Sequence, residues 1–107
     1  MSDAAQSDAE AYVDCAALTD LFGDHPKTKI LAVLLTNAHD SNITQIADDA
    51  EMSRSTVYNH IDDLTELGVI EETREMGGGS FYQINQDNAA AELLAQTEWE
   101  LIEQYDD

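Results

Sequence analysis

The chain has 107 residues and a formal net charge of −19, with four Lys and Arg facing 23 Asp and Glu, which fits one domain with a modest core. No run of about 18 apolar residues is present to span a membrane, and the acidic start Met1–Glu10 lacks the basic and apolar parts of a secretory signal, so a cytoplasmic protein is expected. The single cysteine, Cys15, excludes an internal disulfide and a cysteine-rich zinc site, while His25, His39 and His60 have no ligand spacing, so neither metal nor cofactor is expected.

Residues 1–13, rich in Ser, Asp, Ala and Gln, read as an acidic, disordered tail. From Asp14 to Phe22 a short helix is expected, with Cys15, Leu18, Leu21 and Phe22 on one side and Gly23 ending it. Pro26 suits the first turn of the next helix. Ile30, Leu31, Leu34, Leu35 and Ala38 recur at helical spacing, which predicts a buried helix over 26–38. Asn37–Ser41 is a polar connection. Asn42 followed by Gln45 forms a capping box, in which each side chain satisfies a free N–H at a helix start. Ile43, Ile46, Ala47 and Ala50 give that helix its apolar stripe. A tight turn follows at Glu51 and Met52, and Ser53 caps another helix. Val57, Ile61, Leu64 and Leu67 form its expected buried stripe, and Gly68 terminates it. Two helices joined by about three residues have the spacing of a helix-turn-helix.

Val69 and Ile70 open a strand running to about Glu75, Gly77–Gly79 turn, and Ser80–Asn85 return, which reads as a β-hairpin. Asp87 or Asn88 can cap a last helix reaching about Tyr105. Ala90, Leu94, Thr97, Leu101 and Tyr105 lie along one stripe of it, and Trp99 projects from nearly the opposite side. A helix with two apolar surfaces has two things to pack against: its own domain and, as an expectation, the same helix of a second subunit. Leu94, Leu101, Tyr105 and Trp99 are the candidate dimerisation residues.

The segment from Ile46 to Ile70, with its Ser53-Arg54-Ser55-Thr56-Val57-Tyr58 start and its Leu67-Gly68-Val69-Ile70 end, resembles the core of winged helix-turn-helix regulators. It looks most like the TrmB-like and MarR-like regulators common in archaea, and with the preceding helix and the hairpin the likeness spans about residues 26–85. The resemblance implies a mainly α fold with a small β-hairpin wing (α+β), a DNA-binding domain over 14–86 and a C-terminal dimerisation helix over 87–107. Such proteins often place glycine where Glu51 stands. A non-glycine residue in a left-handed turn costs about 1 kcal/mol.

In that frame a helix enters the major groove, where side chains reach base edges. Ser53, Arg54, Ser55, Thr56, Tyr58 and Asn59 point outward near its start. Arg54 suits guanine or a phosphate, Asn59 suits adenine, and hydroxyls and free N–H groups at the helix start suit phosphate oxygens. Ser53 is equally a plain cap, and for Tyr58 the alternative is packing against a neighbouring helix. The other three basic residues extend the pattern: Arg74 on the wing, and Lys27 and Lys29 at the start of the preceding helix, near where the resemblance places the DNA backbone. Gly78 and Ser80 belong to the wing tip, where glycine permits close approach to a sugar-phosphate or simply makes a turn. Asp62 and Asp63, further down the same helix, would repel phosphate.

The acids run from Asp3 to Asp107 rather than forming one tail, and lysine occurs only at 27 and 29. This resembles proteins of salt-in halophiles, in which salt cations screen the acidic surface: at about 1 M salt the Debye length is about 3 Å. The expected function is sequence-specific binding of double-stranded DNA and transcription regulation, with repression as the direction, by a homodimer in high salt. The alternative is an acidic winged-helix module that grips a basic protein or imitates DNA. A redox role for Cys15 lacks any neighbour that would lower its pKa. No Ser-His-Asp, metal or phosphate-loop arrangement points to an enzyme.

Overall fold

The first helices form where their caps allow. The computed structural model describes residues 17–37 and 39–105; the expected tail, Cys15, Ala38 and the side chain of Tyr105 lie outside the described residues. Helical residues 17–22 (α1) bury Ala17 and Leu18 and end at Gly23. Leu21 and Phe22, expected inside with Leu18, are instead more than half exposed, because the last turn runs past the surface that covers Ala17 and Leu18. In α2 (Pro26–Thr36) Pro26 opens the helix and His25 caps it, its Nδ1 accepting the Lys27 N–H at 3.1 Å. The helix stops at Thr36 rather than at 38, and Asn37 takes extended backbone. Ile30, Ala32, Val33 and Leu34 are buried, so α2 is covered on more than one side.

Ser41 and Asn42 form a strand, β1, that the sequence does not announce, since two residues carry no alternation. Asn42 also caps α3 (Ile43–Ala50). Its Oδ1 accepts from the Gln45 N–H at 2.8 Å and its own N–H donates to Gln45 Oε1 at 3.0 Å, completing the expected capping box. Helix α4 (Arg54–Glu66) buries Val57, Ile61 and Leu64. Leu67, expected in that stripe, is 66% exposed. The helix ends one residue before it, Gly68 turns the chain at φ 82°, and Val69 and Ile70 take up the buried positions instead. A Cβ on Gly68 would stand 3.1 Å from Asn88 Nδ2, so this turn favours glycine on two counts.

Strands β2 (Ile70–Met76) and β3 (Gly79–Ile84) pair antiparallel, and β1 pairs with β3, giving a three-stranded sheet in the order β1-β3-β2. The fold is therefore an α+β winged helix. Its centre gathers Ile30 and Leu34 from α2, Ile43, Ile46 and Ala47 from α3, Val57, Ile61 and Leu64 from α4, then Val69 and Ile70. Fully burying one such aliphatic side chain contributes about 1.5–3 kcal/mol.

Helix α5 (Ala89–Tyr105) starts at Asn88, whose Oδ1 accepts the Ala91 N–H at 2.9 Å. Ala91 brings it into the core, and Glu98 is buried too. Leu94, Thr97 and Leu101 are half-buried while Ala90 is exposed, so the inward stripe is rotated towards Ala91 and Glu98 from the expected one. Among the described residues no helix is long and apolar enough to cross a membrane.

Candidate nucleic-acid interface

The turn between α3 and α4 is set by Glu51, the only described non-glycine residue with positive φ (φ 57°, ψ 50°). The chain then closes with the Met52 N–H donating to the Ala47 carbonyl at 3.0 Å. Ser53 caps α4: its Oγ accepts the Thr56 N–H at 3.2 Å and shares a hydrogen bond with Thr56 Oγ1 at 2.9 Å. Both hydroxyls are thus engaged in the cap, and Ser53 stays exposed beside it. Arg54, Ser55, Tyr58 and Asn59 are exposed as well, Tyr58 at 62%. Ser55, Tyr58, Asn59 and Asp62 lie three or four residues apart and share one face, opposite the buried Val57, Ile61 and Leu64.

Lys27 Nζ lies 3.4 Å from Asp63 Oδ2, which ties the start of α2 to the last turn of α4. One of the two acids expected to repel phosphate is thereby matched by a lysine. The His25 and His60 rings meet edge-on between the same helices, their centroids 5.4 Å apart. Among the described residues Lys29 and Arg54 form no ion pair.

At the wing tip Gly77 (φ 59°) and Gly78 (φ 81°) both adopt positive φ, as the two central residues of a type I′ hairpin must. Gly78 is exposed and Ser80 half-buried. Arg74 is held. Its Nε donates to Asp40 Oδ2 at 3.0 Å, its Nη2 to Asp40 Oδ1 at 3.2 Å and its Nη1 to Met76 Sδ at 3.2 Å, while the guanidinium lies 4.4 Å from the Phe81 ring centroid. Thr73 Oγ1 donates to the same Asp40 carboxylate. A register shift between Glu72 and Arg74 makes this possible. In a regular strand neighbouring side chains point to opposite faces; the bulge lets Thr73 and Arg74 serve one acid. The Thr73 hydroxyl above all, and then Arg74, hold the Asp40 carboxyl below its ordinary range, partial burial opposing them.

A family model described as an HTH domain matches residues 27–79, from the start of α2 to the end of the wing turn. The chain carries a helix-turn-helix DNA-binding domain. No curated protein and no solved structure matches the chain. The matched span takes in the expected DNA-facing residues from Lys27 and Lys29 to Gly78, and leaves out Ser80 and all of α5.

The DNA-binding domain brings the expected residues together in two groups: Ser53 to Asn59 on α4, and Arg74, Gly78 and Ser80 on the wing. Asp40, Thr73 and Tyr82 escape sequence reasoning. Asp40 precedes Arg74 by 34 residues, and no local pattern joins them. Tyr82 lies on β3 towards α4. Burial pushes its hydroxyl above the ordinary range, with the charges of Glu72 and Asp62 adding to this and a hydrogen bond from Ser80 opposing it. Of the candidate dimerisation residues, Leu94 and Leu101 sit half-buried on the inward stripe of α5. Trp99 is 61% exposed and, with the 62% exposed Leu93, marks the outward face.

Proposed function

We propose that this protein binds double-stranded DNA sequence-specifically and regulates transcription, as a homodimer working in molar salt, with repression by occupation of an operator as its direction. The observation that carries this reading is the exposed start of α4. Arg54, Ser55, Tyr58 and Asn59 face solvent there from a helix whose other side is fixed by Val57, Ile61 and Leu64. A helix of this kind fits the major groove, where Arg reads guanine and Asn reads adenine with paired hydrogen bonds. Ser53 and Thr56 order the first turn, whose free N–H groups suit a phosphate. Lys27 and Lys29, and the wing with Arg74, Gly78 and Ser80, flank that helix as backbone contacts. The likeness of residues 46–70 to TrmB-like and MarR-like regulators supports a regulatory role.

The outward face of α5, with Leu93 and Trp99, supports pairing of two subunits, which would set two recognition helices on half-sites about one DNA turn apart. Each subunit carries a formal charge of −19, so both pairing and DNA binding rely on cations to screen like charge.

The test is selection from randomised duplex DNA in about 2–3 M KCl, where screening reaches only a few ångströms. Enrichment of an inverted repeat, lost with Arg54→Ala, is the expected result. A folded protein that enriches nothing overturns the reading and leaves the acidic protein-binding module. Light scattering that finds only monomer in the same buffer removes the homodimer.

A further inference from the structure

Two of the four basic residues carry an ion pair, Lys27 with Asp63 and Arg74 with Asp40, and only Arg74 grips its acid through two prongs. Two parallel N–H···O bonds from one guanidinium to one carboxylate, at 3.0 and 3.2 Å, are joined by a third donor, the Thr73 hydroxyl. This donor set is the one that receives a phosphate: Arg matches carboxylate and phosphate with the same two-pronged geometry. We propose that Arg74 and Thr73 form a phosphate-binding fork on the wing, which Asp40 fills in the DNA-free protein and vacates to a backbone phosphate when DNA binds. The proposal rests on the DNA-binding reading above and adds to it a second donor, Thr73, and an internal competitor, Asp40.

The surroundings favour exchange over a permanent strut. The Arg74 side chain is 52% exposed although Asp40 is only 14% exposed, so solvent reaches the cation from the side away from the acid. The Phe81 ring supports one face of the guanidinium and keeps it oriented whichever anion is present. The remaining prong, Nη1, donates to Met76 Sδ, a weak acceptor that a phosphate oxygen readily replaces. The bulge at Thr73 places both donors on the same side of β2 before any ligand arrives. The carboxylate comes from Asp40, which itself lies outside any helix or strand, just before β1.

Exchange of one anion for another has a consequence for salt. Ordinarily a lysine or arginine that neutralises a DNA phosphate releases a condensed cation, and affinity falls as salt rises. Here the freed Asp40 takes up a cation as the phosphate gives one up, so the wing contact is close to neutral in ions. Such a contact survives at ionic strengths that would strip an ordinary arginine from DNA.

The experiment uses the full chain and a duplex carrying its selected site, with affinity followed by anisotropy across a KCl series. Asp40→Asn, which keeps the side-chain shape and removes the competing charge, is expected to bind about three- to tenfold more tightly, the share of time that a modest internal pair occupies the fork. It is also expected to steepen the plot of log affinity against log salt by about one unit, since Arg74 then behaves as an ordinary phosphate contact. Glu75→Gln, which removes one acidic charge beside Arg74 on β2 without taking a partner from it, is expected to do neither. Arg74→Ala in the Asp40→Asn background is expected to abolish the gain, and Thr73→Val to reduce it. Unchanged or weaker binding by a folded Asp40→Asn protein, with Arg54→Ala still lowering affinity, overturns the fork and leaves DNA binding intact. Failure of both the parent and Asp40→Asn to retain any duplex overturns the two together.

Discussion

Helices α4 and α5 both turn a narrow apolar stripe inward, Val57, Ile61 and Leu64 on the first, Ala91 and its half-buried neighbours on the second. Outside, they differ. Helix α4 offers solvent hydroxyls, an amide and a guanidinium at its capped end; α5 offers Leu93 and Trp99 among acids. Hydrogen-bonding groups on a rigid helix suit a hydrated polyanion whose base edges need matching donors and acceptors. Exposed aromatic and aliphatic area flanked by charge suits another protein surface. The lesson is that the buried half of a helix reports the fold, and the exposed half reports the partner.

The comparison breaks most severely if the shared inner half is damaged. Ile61→Ala empties a fully buried site in α4 and is expected to destabilise the protein by about 2–5 kcal/mol, measured by denaturant unfolding in high salt. DNA binding should fall in step with the folded fraction. Trp99→Lys acts only on the outer half of α5. It is expected to shift the subunit equilibrium by about 2 kcal/mol or more towards monomer, read by sedimentation, while the melting temperature of the monomer holds. Arg54→Ala acts only on the outer half of α4 and should cost about 1–3 kcal/mol of DNA binding with stability unchanged within about 0.5 kcal/mol. An Arg54→Ala protein that unfolds early would erase the distinction between the two halves.

Two smaller effects sharpen the picture of what holds the reading surfaces in place. Glu51→Gly relieves a left-handed residue in the turn before α4 and is expected to stabilise by up to about 1 kcal/mol, since glycine's greater freedom in the unfolded chain offsets part of the gain. At the wing, Asp40 has a folded pKa below its unfolded value of about 3.9. Its contribution to stability is therefore present above about pH 4 and is lost as pH falls through the lower, folded value. Acid titrations of the parent and of Asp40→Asn should converge below that window, and a parent excess that persists into strong acid would count against the Asp40–Arg74–Thr73 cluster.

Much of this was legible in the chain because the signals were local. The Asn42–Gln45 capping box, Ser53 as a cap and the glycine turn at 77–79 are short-range chemistry, and the structure bears them out. Spacing alone located Val57, Ile61 and Leu64, then overreached at Leu67, because periodicity continues past the point where Gly68 reverses the chain. The same rule overextended α2 beyond Thr36 and placed Leu21 and Phe22 inside. On α5 it chose Ala90 where Ala91 is buried, since a run of three alanines carries no phase. Of the candidate site, the face of α4 was readable from helix geometry. The wing cluster was not, because pairing 34 residues apart through a bulge leaves no trace in either segment.

The two residues of β1 act as a mechanical tie. Ser41 and Asn42 pair with Tyr82 and Phe81 of the wing, and Asn42 also closes the first turn of α3. The wing therefore cannot swing away from the helical body without unzipping this ladder and uncapping a helix. The gap between the wing and α4 is fixed before anything enters it. On the DNA-binding proposal, the protein meets its ligand as a calliper already set, testing the width of a groove as well as the letters inside it.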